Sequence, residues 1–235
     1  AYDLFYLKRR GEKAEISTEC RLLPVKVLDR RGNGSCQDVL RGIAFAISTR
    51  ERYHTRILNI SVGTRTEGKD DEELIQAVED AWEAGLIVVA AAGNMGPRKE
   101  SITSPGSSRK IITVGASDDE QTEAFPRKGR ILTGYSGRGP TCACIVKPEL
   151  TAPGTGIVSC SSRYAFTRQG YTVKSGTSMS TPIVSGAIAL LLSKYPSMSP
   201  RETKIRLKNS STDLSLPHTR QGWGYLNIPS LLGTF

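Results

Sequence analysis

Residues 57–92 read ILNISVGTRTEGKDDEELIQAVEDAWEAGLIVVAAA, one strand–helix–strand unit. Ile57–Val62 (ILNISV) has the β-branched, apolar character of a strand. Asp70–Ala84 reads as a helix: its first turn is acidic, as the helix dipole favours, and Gly85 stands just past its end. Leu86–Ala92 (LIVVAAA) is near-continuously apolar, the mark of a strand buried on both faces. Upstream, Arg21–Leu28 (RLLPVKVL) reads as a strand and Gly32-Asn33-Gly34 as a turn. Ser35 and Asp38 then form an S-x-x-D capping box, followed at helical spacing by Val39, Leu40, Ile43, Ala46 and Ile47. Downstream, Ile111–Val114 is a further strand. Strands alternating with helices mean βαβ units and a mostly parallel sheet, hence an α/β fold. Such sheets bind ligands at the carboxyl ends of their strands. The loops to search are therefore Gly63 onward, Gly93–Pro97, and those after the later strands.

The bulk properties fit one ordinary globular chain of 235 residues, with 38% hydrophobic and 23% charged residues, 23 Gly and 12 Pro. That composition excludes disorder, collagen and coiled coil. The longest strongly apolar run, Gly186–Leu192, is far short of the ~20 residues a membrane span needs, so no membrane partner is expected. Thirty-two basic against 23 acidic residues leave a net charge of +9. The basic residues are scattered along the chain without interleaved aromatics, so they read as a solvated surface and no nucleic-acid partner is expected. Five cysteines (20, 36, 142, 144 and 160) cannot all pair within one chain and are too few for a disulfide scaffold. Cys142-x-Cys144 lacks zinc spacing, and neither histidine is near it in sequence.

The chemistry concentrates late in the chain. Tyr171–Lys174, a short strand candidate, runs into Ser175-Gly176-Thr177-Ser178-Met179-Ser180-Thr181-Pro182. Ile183–Lys194 follows as a helix apolar on nearly every face. A helix N-terminus offers free N–H groups and positive partial charge to a developing oxyanion. On position alone, Ser178 reads as an N-cap and Asn94 as a turn asparagine.

GTSMSTP (176–182) before a buried helix closely resembles the nucleophile motif of the subtilisin-like serine proteases, the subtilases. Three further stretches resemble the same family in its order: VKVLDRRGNGS (25–35), LNISVG (58–63) and AAAGNMG (90–96). YSGRGP (135–140), KPELTAPG (147–154) and GWGYLN (222–227) are weaker matches. The resemblance covers 20–235 and leaves 1–19 as an N-terminal segment without a family match. It implies a three-layer subtilisin-like α/β fold, with Ser178 attacking the scissile carbonyl of a peptide or protein substrate. Asn94 would donate its amide to the oxyanion beside the Ser178 backbone N–H. Ser61, Val62 and Gly63 would hold the substrate backbone as an added strand. Ala91, Ala92 and Gly93 would form the opposite wall of the P1 pocket, small enough to leave room for a large P1 side chain.

The chain also departs from the family. In subtilases the order is Asp, His, Ser. No D-[ST]-G and no H-G-T occurs here, residues 1–19 hold no histidine, and Asp3 sits in YDLFY, which resembles nothing in the motif. His54 falls in a helix-to-strand connection, at the end of the sheet away from ligands, and His218 in a loop without a motif, so neither is given a catalytic role. Three readings follow: a fragment of an active enzyme whose Asp and His lie on other sequence, a pseudoprotease that binds peptides, or a site completed by another chain. The first leads, the second is the alternative. The absent N-terminal strand and helix of the family would leave apolar surface exposed, so self-association or a partner supplying that segment is expected. An α/β-hydrolase elbow, G-x-S-x-G, fails because its last position is Ser180. Calcium is common in the family, but no acidic loop of calcium spacing appears, so no metal and no cofactor are expected.

Overall fold

The computed structural model describes residues 7–9, 12–14, 20–29, 31–64, 69–120, 126–127, 130–131, 133–161 and 170–233. The N-terminal segment expected over 1–19 lies largely outside them, apart from a hairpin of β1 (Leu7–Arg9) and β2 (Glu12–Ala14). Then come α1 (Cys36–Ser48), α2 (Arg50–Tyr53), β3 (Ile57–Ile60), α3 (Lys69–Glu83), β4 (Ile87–Ala91) and β5 (Ile112–Ala116). A minimal hairpin, β6 (Pro126–Arg127) with β7 (Arg130–Ile131), precedes β8 (Leu150–Ala152). β9 (Ile157–Cys160) and β10 (Tyr171–Lys174) pair antiparallel, and α4 (Thr177–Lys194), α5 (Pro200–Ser210), α6 (His218–Gln221) and α7 (Ile228–Leu232) complete the chain.

The central sheet has the order β3-β4-β5-β8, every pair parallel. All five residues of β4 are buried, as the run of apolar residues required. Alternation along β4 divides the core. Val88 and Ala90 pack with Ile43 and Ala46 of α1 and Leu74, Val78 and Ala81 of α3. Ile87 and Val89 face Val184, Ala187, Ile188 and Leu191 of α4, with Leu207 of α5 and Leu231 of α7. Each fully buried Ile or Leu contributes about 1.5–3 kcal/mol. Helices on both faces make the three layers.

Local chemistry sets the element ends. The Ser35 side chain accepts from the Asp38 N–H and the Asp38 carboxylate accepts from Ser35, closing the capping box that starts α1. Gly85, at φ +90°, ends α3, and the Leu86 N–H turns back to the Ala81 carbonyl at 3.0 Å.

One expectation fails. Residues 21–28 form no strand: they run without ladder partners, with Leu22 57% and Leu23 39% exposed. Strand status needs a neighbour, and among the described residues β3 pairs only with β4, leaving its other edge open. Val25 and Val27 lie instead beside Gly42 of α1. The opposite edge of the sheet is closed. GWGYLN lies along β8, with Trp223 N–H donating to the Glu149 carbonyl at 2.7 Å and Leu226 N–H to that of Thr151 at 2.9 Å.

A buried ion pair fixes the start of β8. Lys147 is fully buried, and its Nζ donates to Glu149 Oε1 and Oε2 at 2.8 and 2.7 Å and to Thr113 Oγ1 at 3.0 Å. Glu149 also accepts from the Thr113 N–H at 2.9 Å and pairs with Lys204 at 2.9 Å. Burial lowers the Lys147 pKa to about 8, against the opposing attraction of Glu149.

Candidate active site

The carboxyl ends of β3, β4 and β8 and the N-terminus of α4 meet in one place. The α4 N-cap is Gly176, not Ser178. Ser178 therefore lies inside the first helical turn, where backbone N–H groups have no intrahelical acceptors. Pro182 sits one turn later and lacks the N–H that would bond the Ser178 carbonyl. Gly176 has φ +143°, a conformation that L side chains rarely adopt, and its N–H is tied to the Gly154 carbonyl at 2.8 Å. A Cβ on Gly154 would lie 2.5 Å from Ser180 Oγ and 2.8 Å from Ala116 Cβ, so only glycine lets β8's loop approach α4 this closely.

Asn94 follows β4 and reaches the same turn. Its Oδ1 accepts from the Thr177 N–H at 2.9 Å and the Thr177 hydroxyl at 3.1 Å. Thr177 Oγ1 in turn accepts from the Gly93 N–H at 3.1 Å. With Oδ1 so engaged, Nδ2 is the free end of the amide, and a Cβ on Gly176 would come within 3.1 Å of it. A donor held this way, beside the N-terminus of a helix, can stabilise negative charge on an oxygen near Ser178. Thr177 was not singled out from sequence, although it lies inside the quoted motif.

Ser178 is half-buried, and its hydroxyl donates to the Ser61 carbonyl at 2.8 Å. Ser61 follows β3, where Asn59 ties the strand to α4: Asn59 Nδ2 donates to Ser61 Oγ at 3.1 Å, and Ser185 Oγ donates to Asn59 Oδ1 at 2.8 Å. Ser61, just after β3, and Gly93, just after β4, thus both reach the turn that carries Ser178, the first through the Ser178 hydroxyl and the second through Thr177. Between Gly63 and Gly93 the structure places Thr103, which is buried. The Thr103 N–H donates to the Ala92 carbonyl at 3.1 Å, and Ser104 bridges to Thr64 in both directions, at 3.0 and 3.1 Å. Nothing in the sequence around Thr103 marks it, since it lies in a polar loop.

The loop 133–139 backs the Asn94 segment. Gly137 N–H donates to the Gly93 carbonyl at 2.8 Å and Gly96 N–H to that of Tyr135 at 2.9 Å. The Tyr135 hydroxyl meets Thr155 Oγ1 at 2.9 Å, and burial pushes its pKa up to about 12.

Both histidines lie at the far end of the sheet. His54 is an exposed left-handed residue after α2, ahead of the start of β3. His218 opens α6, which packs by Gly222 on the start of β8, and its Nδ1 meets the Gly222 carbonyl at 2.8 Å. All five cysteines are free thiols. Among the described residues no three His, Cys, Asp or Glu side chains converge to hold a metal. No helix among them is long and apolar enough to cross a membrane.

This geometry agrees with what the chain is similar to. The subtilase family model matches residues 11–224. The chain is 38% identical over 216 residues to serine protease AprX of Bacillus subtilis, covering 86% of this chain and 48% of that protein. It is 31% identical over 216 residues to subtilisin DY of Bacillus licheniformis, covering 91% and 68%. Among solved structures, sphericase superposes with a TM-score of 0.75 at 25% identity, over 93% of this chain and 72% of that one. The self-cleaved protease domain of PatA gives 0.73 at 28%, over 97% and 79%. The chain spans about half the length of AprX and of the thermostable alkaline protease of Halalkalibacterium halodurans, at 48% and 49%. With its α/β layers, its parallel sheet and Ser178 at the head of the central helix, the chain belongs to the subtilase family.

Proposed function

We propose that the chain is the serine-bearing part of a subtilisin-like serine endopeptidase that cleaves peptide bonds through an acyl-enzyme on Ser178. Asn94 Nδ2 and the Ser178 N–H receive the oxyanion, Ser61–Gly63 take the substrate backbone as an added strand, and Ala91–Gly93 form the facing wall. The observation that carries this reading is the Thr177 clamp, which turns the Asn94 amide so that Nδ2 is free beside Ser178. The histidine that takes the serine proton and the aspartate that orients it come from sequence outside this chain. That sequence also supplies the strand that pairs the open edge of β3, as an N-terminal part or as a partner.

A second reading has its own support. Ser178 Oγ donates to a carbonyl, which cannot accept a proton in catalysis, so the chain alone is a peptide-binding module. Labelling with a fluorophosphonate probe, with Ser178→Ala alongside and intact mass as readout, separates the two. Labelling at Ser178 that disappears in the variant means that a base acts within this chain. An unlabelled, folded chain supports a site completed from outside. An unlabelled chain that stays unlabelled when an Asp- and His-bearing subtilase N-terminal segment is added supports the binding module.

A further inference from the structure

Residues Thr141–Ile145 (TCACI) form a closed turn that carries two thiols. The Thr141 N–H donates to the Ile145 carbonyl at 2.9 Å, and the Cys144 N–H donates back to the Thr141 carbonyl at 2.8 Å. The Thr141 hydroxyl accepts a third bond, from the Ile145 N–H at 3.2 Å. Below the turn the Gly139 N–H donates to the Lys147 carbonyl at 3.0 Å, and Thr141 and Lys147 are both buried. The stem is thus fixed ahead of β8, at the end of the sheet away from Ser178. Cys142 and Cys144 stand on the turn itself, both exposed and both free. Cys144 has φ +56°, the left-handed conformation that bends the chain back on itself. Residues two apart across such a turn have Cα atoms about 5–6 Å apart, within the roughly 4.4–6.8 Å that a disulfide spans.

We propose that Cys142 and Cys144 are a redox-active dithiol, a site at which a low-molecular-weight disulfide such as oxidised glutathione converts the pair to a reversible disulfide. The thiolate of one cysteine attacks a sulfur of the oxidant, forms a mixed disulfide and expels one small thiol. The neighbouring thiolate then attacks the protein sulfur of that mixed disulfide, closes the Cys142–Cys144 bond and expels the second small thiol. Two electrons pass to the oxidant, and the two protons that the cysteines give up are taken by the two departing thiolates. The second attacker is held two residues away, so the closing step is intramolecular and outruns capture of a second oxidant. The stem keeps its hydrogen bonds in either state, because none of them uses a thiol. The other three cysteines lack such a neighbour in sequence. Cys36 is also half-buried and its thiol donates to the Asp70 carbonyl at 3.5 Å. Burial and the carboxylates of Asp70, Glu73 and Asp71 push its pKa up, which slows its attack on a disulfide.

The test equilibrates the folded chain with defined ratios of reduced to oxidised glutathione, traps free thiols with N-ethylmaleimide and maps the peptides by mass. The peptide bearing both cysteines is expected to lose the mass of two hydrogens, to take no N-ethylmaleimide and to carry no glutathione. Dithiothreitol is expected to restore both thiols. In Cys142→Ser and in Cys144→Ser the remaining thiol is expected to stop at the mixed disulfide with glutathione. The equilibrium constant for closing the bond is expected to be at least about tenfold larger in the folded chain than in concentrated urea, where the turn is lost. Glutathione held on both cysteines of the wild-type chain overturns the proposal, as do thiols that stay alkylatable in oxidised glutathione alone. Bonds from either cysteine to Cys20, Cys36, Cys160 or a second copy overturn it as well. Equal constants in the folded and unfolded chain also overturn it, since the pairing would then owe nothing to the turn.

Discussion

The Ser178 hydroxyl donates to the Ser61 carbonyl at 2.8 Å, so its proton points at the residue just past the end of β3. The hydroxyl sits in the first turn of an 18-residue helix, where the dipole favours negative charge. Ser178→Cys tests that field without any need for a base. The introduced thiol is expected to titrate below the usual 8.5, read as the pH midpoint of iodoacetamide alkylation with peptide mapping to set aside the five native thiols. A midpoint at or above 8.5 means that the helix end gives no anion stabilisation here.

Gly176 holds two constraints at once: its φ is +143°, and a Cβ added there would lie 3.1 Å from Asn94 Nδ2. Gly176→Ala is expected to lose about 1–3 kcal/mol in urea denaturation and to shift the Asn94 side-chain amide resonances. An unshifted amide with full stability means that the turn relaxes freely.

Glu149 balances two cations, Lys147 and Lys204. Glu149→Gln removes the shared anion and leaves Lys147 buried without it, which is expected to lose about 3–5 kcal/mol. Lys147→Met leaves Glu149 paired with Lys204 and is expected to lose clearly less. Equal losses in urea midpoints would contradict this asymmetry.

Tyr135 has a folded pKa of about 12, above its ordinary value of 10. Between pH 10 and 12 the unfolded chain gives up this proton while the folded chain keeps it. The stability it contributes is whole below pH 10 and is lost as pH rises through 12. Tyr135→Phe lacks this ionisation, so the stability gap between wild type and variant is expected to shrink across that window. Urea midpoints at pH 9, 11 and 12 check it; a constant gap rules it out.

Among the described residues Leu22, Leu23 and Val25 are exposed on a strip without strand partners, and one edge of β3 is unpaired. Association rising with concentration is expected in light scattering. Changing the three to serine is expected to weaken it, at a stability change within about 0.5 kcal/mol per residue. A monodisperse wild-type monomer removes the idea.

The parts of the fold legible in sequence are those that local chemistry decides. Ser35 and Asp38 lie three residues apart and need only each other, and the β4 strand announces its burial in its own composition. Residues 21–28 have strand composition as well, but a ladder requires a neighbour, and no local signal says whether one is present. The apolar run places a helix at Ile183–Lys194, whereas α4 starts six residues earlier at Thr177, with Pro182 inside it. That proline falls early enough in the helix that the only loss is the N–H toward Ser178. Within the site, Ser178 and Asn94 stand out by motif, whereas Thr103 is a threonine in a polar loop, and only the fold brings it between Gly63 and Gly93.

The Thr177 clamp also has a consequence in time. Asn94 and Thr177 are 83 residues apart, and β5 and β8 lie between them in the chain. Contacts between such distant residues form only after long loops close, and parallel crossovers are slow to assemble. A nascent chain that has laid down β3, β4 and β5 has its Asn94 but no partner to orient it. The Asn94–Thr177 corner is thus among the last features to appear, and its arrival reports that the whole sheet is in place.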